Sequence, residues 1–120
     1  MEVLEVVEMI RATTPKQVFI FEIDPESFEK ILITYAQNDR IVMEKGKSDL
    51  TFETIFNEQD EIIGYSAWFR MTQEETKKFI AGAGKLVSVQ VRVLTTANEA
   101  LASDKKTFSV QDVLNDEVLV

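Results

Sequence analysis

The clearest pattern in this chain lies between Lys85 and Leu94, where apolar and polar residues alternate strictly from Val87 to Val93. Four valines occupy every second position, with polar residues between them: Val87, Ser88, Val89, Gln90, Val91, Arg92 and Val93. Successive side chains of a strand point to opposite faces of a sheet, so this spacing predicts a half-buried strand. Such strands are typical of antiparallel sheets that cover a core on one side.

Further strand-like segments follow at short intervals. Val18–Ile23 is almost entirely apolar, which predicts a central strand covered on both faces. Turn-forming residues separate it from the other segments, which are Ile31–Tyr35, Arg40–Lys45, Leu50–Phe56, Ile62–Phe69, Leu101–Ala102 and Thr107–Val110. One such turn, Asn38-Asp39, tolerates the positive φ of a tight hairpin. The series predicts an all-β, mainly antiparallel fold, an immunoglobulin-like β-sandwich.

One or two short helical turns are expected within the sandwich. Asp24 followed by Pro25 is typical of the start of a helical turn. Thr72, with Glu75 three residues later, forms a capping box. This second signal predicts a short helix that buries Phe79 and stops at Gly82.

We divide the chain into a sandwich domain over residues 11–113, an N-terminal extension or edge strand over residues 1–10, and a C-terminal tail over residues 114–120. Met1–Val7 fits a short helix and a strand added to a neighbouring sheet equally well. In either form it is the candidate docking arm, through Val3, Leu4 and Val7.

Charge and missing residue types narrow the range of functions. The chain has 21 acidic and 13 basic residues, for a net charge of -8. This charge disfavours nucleic acid and anionic membranes as partners. Cysteine and histidine are absent from the sequence, which excludes disulfides, Cys/His zinc sites and histidine-dependent catalysis. The acidic N terminus does not resemble a secretory signal, so we expect a cytoplasmic protein. We also expect the protein to work without a metal or cofactor.

Three motifs that suggest chemistry have simpler explanations. Ser27 and Lys30 match the Ser-x-x-Lys spacing of acylating serine enzymes, but the companion motifs are missing. Gly82–Lys85 resembles part of a phosphate-binding loop, although a glycine helix cap explains it. The acidic segment Asn57–Glu61 offers oxygen ligands for calcium, but a solvated hairpin tip accounts for it. We therefore expect no enzymatic activity; an enzyme that uses carboxylates is a third alternative, behind the two functions given below.

Trp68 is the main candidate for a binding residue. Its position places it on the same face of the predicted strand as Ser66 and Arg70. The opposite, apolar face is formed by Ile63, Tyr65, Ala67 and Phe69. An aromatic side chain beside a cation on a polar sheet face suits a protein interface or a platform for sugar stacking. A third interpretation is that Trp68 covers the sheet beneath a loop or the N-terminal segment.

Six segments also form a recognisable series in order and spacing: Arg11–Pro15, Ile33–Gln37, Met71–Thr76, Val89–Thr95, Ala100–Ser103 and Leu114–Leu119. In these segments the chain resembles a group of small, uncharacterised proteins encoded by phages and prophages of Gram-positive bacteria, usually among virion structural genes. Its strand rhythm and closing Thr107–Val110 segment are similar to the N-terminal β-sandwich of phage upper baseplate proteins. Relatives tend to carry glycine before Thr-Thr-Pro, where this chain has Ala12.

The resemblance implies a phage structural or accessory virion protein, of the tail or baseplate or as a head decoration or adaptor, that acts through protein–protein contacts. Its partners would be other phage structural proteins, with self-association left open. It would be in the host cytoplasm before assembly and then in the virion. The alternative is a carbohydrate-binding module that contacts the host surface through Trp68, Tyr35 or Tyr65.

Overall fold

The structure, a computed structural model, describes residues 9–82, 85–115 and 117–120. These residues form strands named here in chain order: β1 (Met9–Ile10), β2 (Lys16–Phe21), β3 (Phe28–Gln37), β4 (Arg40–Gly46), β5 (Thr51–Phe56), β6 (Ile62–Arg70), β7 (Val87–Thr95), β8 (Ala100–Ala102), β9 (Lys106–Phe108) and β10 (Val110–Gln111). A one-turn helix, α1, spans Gln73–Thr76, and 3-10 turns span Pro25–Ser27 and Lys47–Asp49. The predicted all-β sandwich with short helical turns is confirmed.

Two antiparallel sheets face each other across the core. The smaller sheet has the strand order β2-β6-β5, and the larger sheet has the order β4-β3-β7-β8. β9 also pairs with β7, opposite Val87–Val89, whereas β8 lies opposite Arg92–Leu94. A short parallel pair places β1 beside β10.

The strand order relates the sandwich to immunoglobulin domains and also distinguishes it from them. In an immunoglobulin constant domain, the second strand shares a sheet with the first, fourth and fifth strands. If the short β1 is left out and β2 is counted as the first main strand, the smaller sheet here contains the first, fifth and fourth main strands, in that order. The second main strand, β3, lies instead in the larger sheet between β4 and β7. The larger sheet is therefore the broader of the two faces.

Inward-facing side chains of both sheets fill the core, as the alternation in β7 predicts. All four of its valines are buried. Tyr35 of β3 packs edge-to-face on Phe69 of β6, with ring centroids 6.2 Å apart. Its hydroxyl donates a hydrogen bond of 2.9 Å to Gln17 Oε1. Burial, reinforced by the negative charge of Glu75, holds the Tyr35 pKa well above its usual 10.0, so the hydroxyl remains a donor.

The prediction that Val18–Ile23 forms a central strand covered on both faces is wrong. β2 lies at an edge of the smaller sheet, and it ends at Phe21. Phe19 and Phe21 are buried, whereas Val18 and Ile20 face outward and are half-exposed. These two outward-facing residues form part of the apolar surface around Trp68, described below.

Ile63, expected on the buried face of β6, is exposed. A bulge accounts for this difference, because β5 and β6 change register between Ile55 and Phe56. Ile55 lies opposite Gly64 and Phe56 opposite Ile62, which leaves Ile63 between the two pairs. Ala67 and Phe69 of the predicted apolar face are buried as expected, whereas Tyr65 is half-exposed.

Two other predicted elements are shorter than expected. α1 ends at Thr76, so the buried Phe79 lies in the turn after the helix, where its amide bonds to Thr76 O. The closing segment Thr107–Val110 is split at Ser109 between β9 and β10. The split arises because the two strands pair with different partners, β7 and β1.

The segment around α1 connects the two sheets. The predicted capping box is present, with Thr72 Oγ1 accepting from the Glu75 amide and Glu75 Oε1 accepting from the Thr72 amide. Glu75 also forms a half-buried ion pair with Lys45 of β4. Burial pushes the Glu75 pKa upward, but the hydrogen bonds from Lys45 and Thr72 outweigh it, so the pKa lies below its ordinary value.

Ala12 has a left-handed backbone conformation, with φ of 60°. This conformation suits glycine, because a β-carbon there crowds the following carbonyl. The turn that glycine would favour before Thr13-Thr14-Pro15 is thus formed in this chain by alanine, at a cost in backbone energy.

Ala12→Gly should raise the free energy of unfolding by about 0.5–1 kcal/mol, since relief of the left-handed strain exceeds the added entropy of the unfolded chain. Urea unfolding followed by circular dichroism measures this change. Ala97→Gly is the matched control, because Ala97 lies in a turn without positive φ and should become less stable. A loss of stability in both variants would contradict the interpretation.

Glu75→Gln should lower the unfolding free energy at pH 7 by about 1 kcal/mol, the upper end for a partly exposed ion pair. The Glu75 pKa is depressed in the folded state, so its stabilisation is present above the unfolded value near 4.5 and is lost as the pH falls through the folded value. The difference from the wild type should therefore shrink as the pH falls below the unfolded value. The neighbouring exposed Glu74→Gln is the control, because it removes the same charge from α1 while leaving the ion pair between Lys45 and Glu75 intact, and it should cost less stability at pH 7.

Candidate interaction surface around Trp68

Trp68 lies in the middle strand of the smaller sheet, on the face directed away from the core. Its cross-strand neighbours are Val18 of β2 and Thr51 of β5. The adjacent residues Ala67 and Phe69 are buried on the opposite face, whereas Trp68 is half-exposed. The strand alternation therefore places the chain's one tryptophan on an outer sheet surface, as expected from the sequence.

An apolar strip continues from Trp68 along this outer face. Val18, Ile20 and Ile55 are all half-exposed there. Gly64 lies between the last two, and a β-carbon on it would be 4.0 Å from Ile20 Cγ2 and 3.9 Å from Ile55 Cδ1. The two isoleucine side chains thus approach each other over Gly64, which has no side chain, so the apolar strip is continuous from β2 to β5. We name this surface, formed by Val18, Ile20, Ile55, Gly64, Ser66 and Trp68, the Trp68 face.

Two charged side chains fix the orientation of the indole. Trp68 Nε1 donates a hydrogen bond of 3.1 Å to Glu53 Oε1 on β5. On the β2 side, Lys16 Nζ lies 4.2 Å from the ring centroid in a cation–π contact. The ring is held in one orientation before any partner arrives, which lowers the entropy that binding must offset.

The three predicted residues of β6 share this face but differ in what they offer. Trp68 provides contact area, whereas Ser66 is buried between its cross-strand neighbours Ile20 and Glu53. Arg70 is exposed, and its guanidinium donates to Thr14 O at 3.0 Å. Its charge therefore lies at the rim of the face.

The predicted arm residues, Val3, Leu4 and Val7, lie outside the described residues. Lys16, Glu53 and the apolar strip were not identified from the sequence. The alternation of β2 contains a signal for Val18 and Ile20, but their position beside Trp68 depends on long-range strand pairing. That pairing cannot be read from a local pattern.

A free sheet edge borders the Trp68 face. β5 ends the order β2-β6-β5, so among the described strands none pairs with its outer side. Backbone donors and acceptors on such an edge can pair with an extended segment of another protein. The edge and the apolar strip together form a continuous surface suited to protein contacts.

The other candidate residues have structural roles or different positions. Tyr35 is fully buried and cannot reach a ligand. Ser27 Oγ donates to Asp24 O at 2.7 Å, as part of the turn, and Lys30 is exposed on β3. Asn57 Oδ1 accepts hydrogen bonds from the amides of Gln59 and Glu61 and so organises the acidic turn. Among the described residues, no group of acidic side chains is arranged to hold a metal ion.

Comparisons of the sequence with protein-family models and with curated proteins give no match. Within the part of the chain that the structure describes, no helix has the length and apolar character needed to cross a membrane.

The Trp68 face should be dispensable for folding if it is a surface for contacts. Trp68→Ala should cost only about 1 kcal/mol of unfolding free energy, since the side chain is half-exposed, whereas Phe69→Ala should cost about 3–5 kcal/mol. Chemical denaturation monitored by circular dichroism compares these neighbours on opposite faces of one strand. Equal losses in the two variants would mean that Trp68 serves the core.

Proposed function

We propose that this chain is a phage structural or accessory virion protein, of the tail, baseplate or head, that acts through contacts with other phage proteins. The Trp68 face is the observation that carries the proposal. It combines a pre-oriented tryptophan, an apolar strip and a rim of charged residues, which is the composition of protein-binding hot spots. The resemblance to phage-encoded proteins supports the virion context.

The free edge of β5 suggests how a partner would be added. An extended segment paired along Thr51–Phe56 would extend the smaller sheet by one strand. Its outward side chains would then continue the Trp68 face. Tryptophan would supply the anchoring contact, and the backbone pairing would fix the register. In this proposal the N-terminal arm is a second docking element, acting through Val3, Leu4 and Val7.

A carbohydrate-binding module is the second candidate, and one cleft favours it. Half-exposed Tyr65 lines a cleft of about 280 Å³ together with Asp24, Glu26 and Lys47. An aromatic ring beside charged hydrogen-bonding groups suits a sugar. Trp68 is less suited to stacking, because Lys16 covers one face of its ring. A sugar site in this protein would therefore centre on Tyr65.

The proposal predicts that tagged protein, added to lysate of a phage-producing host, captures identifiable virion structural proteins. Trp68→Ala should reduce this capture at least tenfold, because it removes the anchor without unfolding the sandwich. Leu32→Ala is the matched control, since Leu32 is a half-buried outward-facing residue on the larger sheet. Mass spectrometry identifies the captured proteins and measures the copy number in purified particles.

Capture of no virion protein, or equal capture by Trp68→Ala and the wild type, would contradict the proposal. A glycan array provides the contrast. Binding to a glycan that is lost in Tyr65→Ala, without capture of virion proteins, would favour the carbohydrate-binding module.

A further inference from the structure

The β5–β6 hairpin ends in an apolar and acidic projection. Phe56 and Ile62 face each other across the hairpin and are 53% and 56% exposed, and the adjacent Ile63 is 63% exposed. The turn between the strands carries three acidic residues: Glu58, Asp60 and Glu61. Exposed apolar side chains this large, grouped and surrounded by charge, are typical of contact sites. We name residues 56–63 the hairpin tip.

The hairpin tip is rigidly organised by Asn57. The backbone amide of Asn57 donates to Glu61 O at 2.9 Å, and its side-chain oxygen accepts from the backbone amides of Gln59 and Glu61. Asp60 completes the turn in a left-handed conformation, with φ of 59°. Neither Glu58 nor Asp60 has a side-chain partner among the described residues. The tip therefore presents uncompensated negative charge on a fixed scaffold.

A groove with complementary character lies on the outer face of the larger sheet. It has a volume of about 460 Å³ and a floor of small side chains that includes Ala36 and Ser88. Ile41, at 63% exposure, and Leu86, at 52%, are apolar residues of its lining. We name this feature the β3–β4 groove.

The β3–β4 groove is a locally basic site on an acidic protein. Arg40 and Lys105 line it, against Asp39 as the acidic lining residue. Neither cation forms an ion pair with a described residue. Because the chain has a net charge of -8, copies repel one another in most orientations. Placing the acidic hairpin tip of one copy against Arg40 and Lys105 of another replaces that repulsion with attraction at the contact.

The hairpin tip and the groove lie at opposite ends of the sandwich. Phe21 lies opposite Tyr65 near the tip and packs on Phe28, with ring centroids 5.5 Å apart. The tip is thus at the Phe28 end of β3. The groove is at the other end of that strand, where β3 turns into β4. Two complementary surfaces at opposite ends cannot satisfy each other within one molecule.

We propose that copies of this chain associate head to tail, with the hairpin tip of one copy seated in the β3–β4 groove of the next. The apolar tip residues contact Ile41 and Leu86, and the acidic residues of the turn pair with Arg40 and Lys105. This contact joins two different surfaces, so repetition produces a ring or a filament rather than a closed two-fold dimer. It does not depend on the Trp68 face or on the phage context, so either proposal can fail without the other.

Sedimentation velocity on the full chain, in a concentration series up to about 1 mM, where weak specific association is measurable, tests the proposal. The wild type should form concentration-dependent oligomers that weaken as NaCl rises above about 0.1 M, where the long-range repulsion between copies is already screened. The tip variant, Ile62→Ser with Glu58→Lys, and the groove variant, Ile41→Ser with Arg40→Gln, should each weaken association at least tenfold; the two altered surfaces do not restore each other, because the groove variant keeps Lys105 opposite the new lysine. The matched control is Leu114→Ser with Glu117→Lys, which makes the same chemical changes at exposed tail residues and should behave as the wild type.

Mixing the two variants gives the sharper result. The tip variant keeps an intact groove and the groove variant keeps an intact tip, so the mixture should form 1:1 heterodimers that grow no further. A monomeric wild type, or a mixture without heterodimers, would overturn the proposal. So would loss of association in Val3→Ser/Leu4→Ser/Val7→Ser but not in the tip variant, since the N-terminal arm would then be the element that joins the copies.

Discussion

The sandwich depends on the packing of one side chain, Tyr35, between the two sheets. Its ring makes edge-to-face contacts with Phe69, Phe79 and Phe108, which come from three separate parts of the chain. Its hydroxyl reaches a fourth part through Gln17. Because the same residue satisfies a buried polar group and supplies aromatic packing, the sheets have little freedom to slide past each other. The surfaces on their outer faces therefore keep a fixed relative position.

This rigidity connects the fold to the proposed functions. The Trp68 face and the hairpin tip belong to the smaller sheet, whereas the β3–β4 groove belongs to the larger one. The Trp68 face is built from outward-facing residues of strands whose inward-facing residues form the core, whereas the hairpin tip and the groove combine strand residues with residues of the adjoining turns. The strand alternation thus supplies the core on one side and, on the other, the Trp68 face on which the proposed function rests. A protein that assembles through several surfaces benefits from such a scaffold, since little ordering entropy is lost at each contact.

Local patterns in the sequence predicted the elements that depend on neighbouring residues. The β7 valines, the capping box at Thr72 and the Asn38-Asp39 turn, with φ of 53° and 58°, are present as expected. Features that depend on distant pairing were not predictable. The apolar composition of β2 predicts a central strand, because sequence alone cannot distinguish full burial from an apolar outer face. The face on which Trp68 lies follows from the alternation within β6. Its contacts with Lys16 and Glu53 depend on the pairing of β6 with β2 and β5, which the sequence does not show.

The parallel pairing of β1 with β10 has a consequence for biosynthesis. Met9 and its partner Val110 are separated by nearly the whole sandwich in sequence, so their ladder closes a very long loop. Synthesis delivers β1 long before β10, and among the described strands β1 has no partner until β10 has emerged. Closure of the fold at this seam therefore waits for β10, and Met9 takes up its buried position only then.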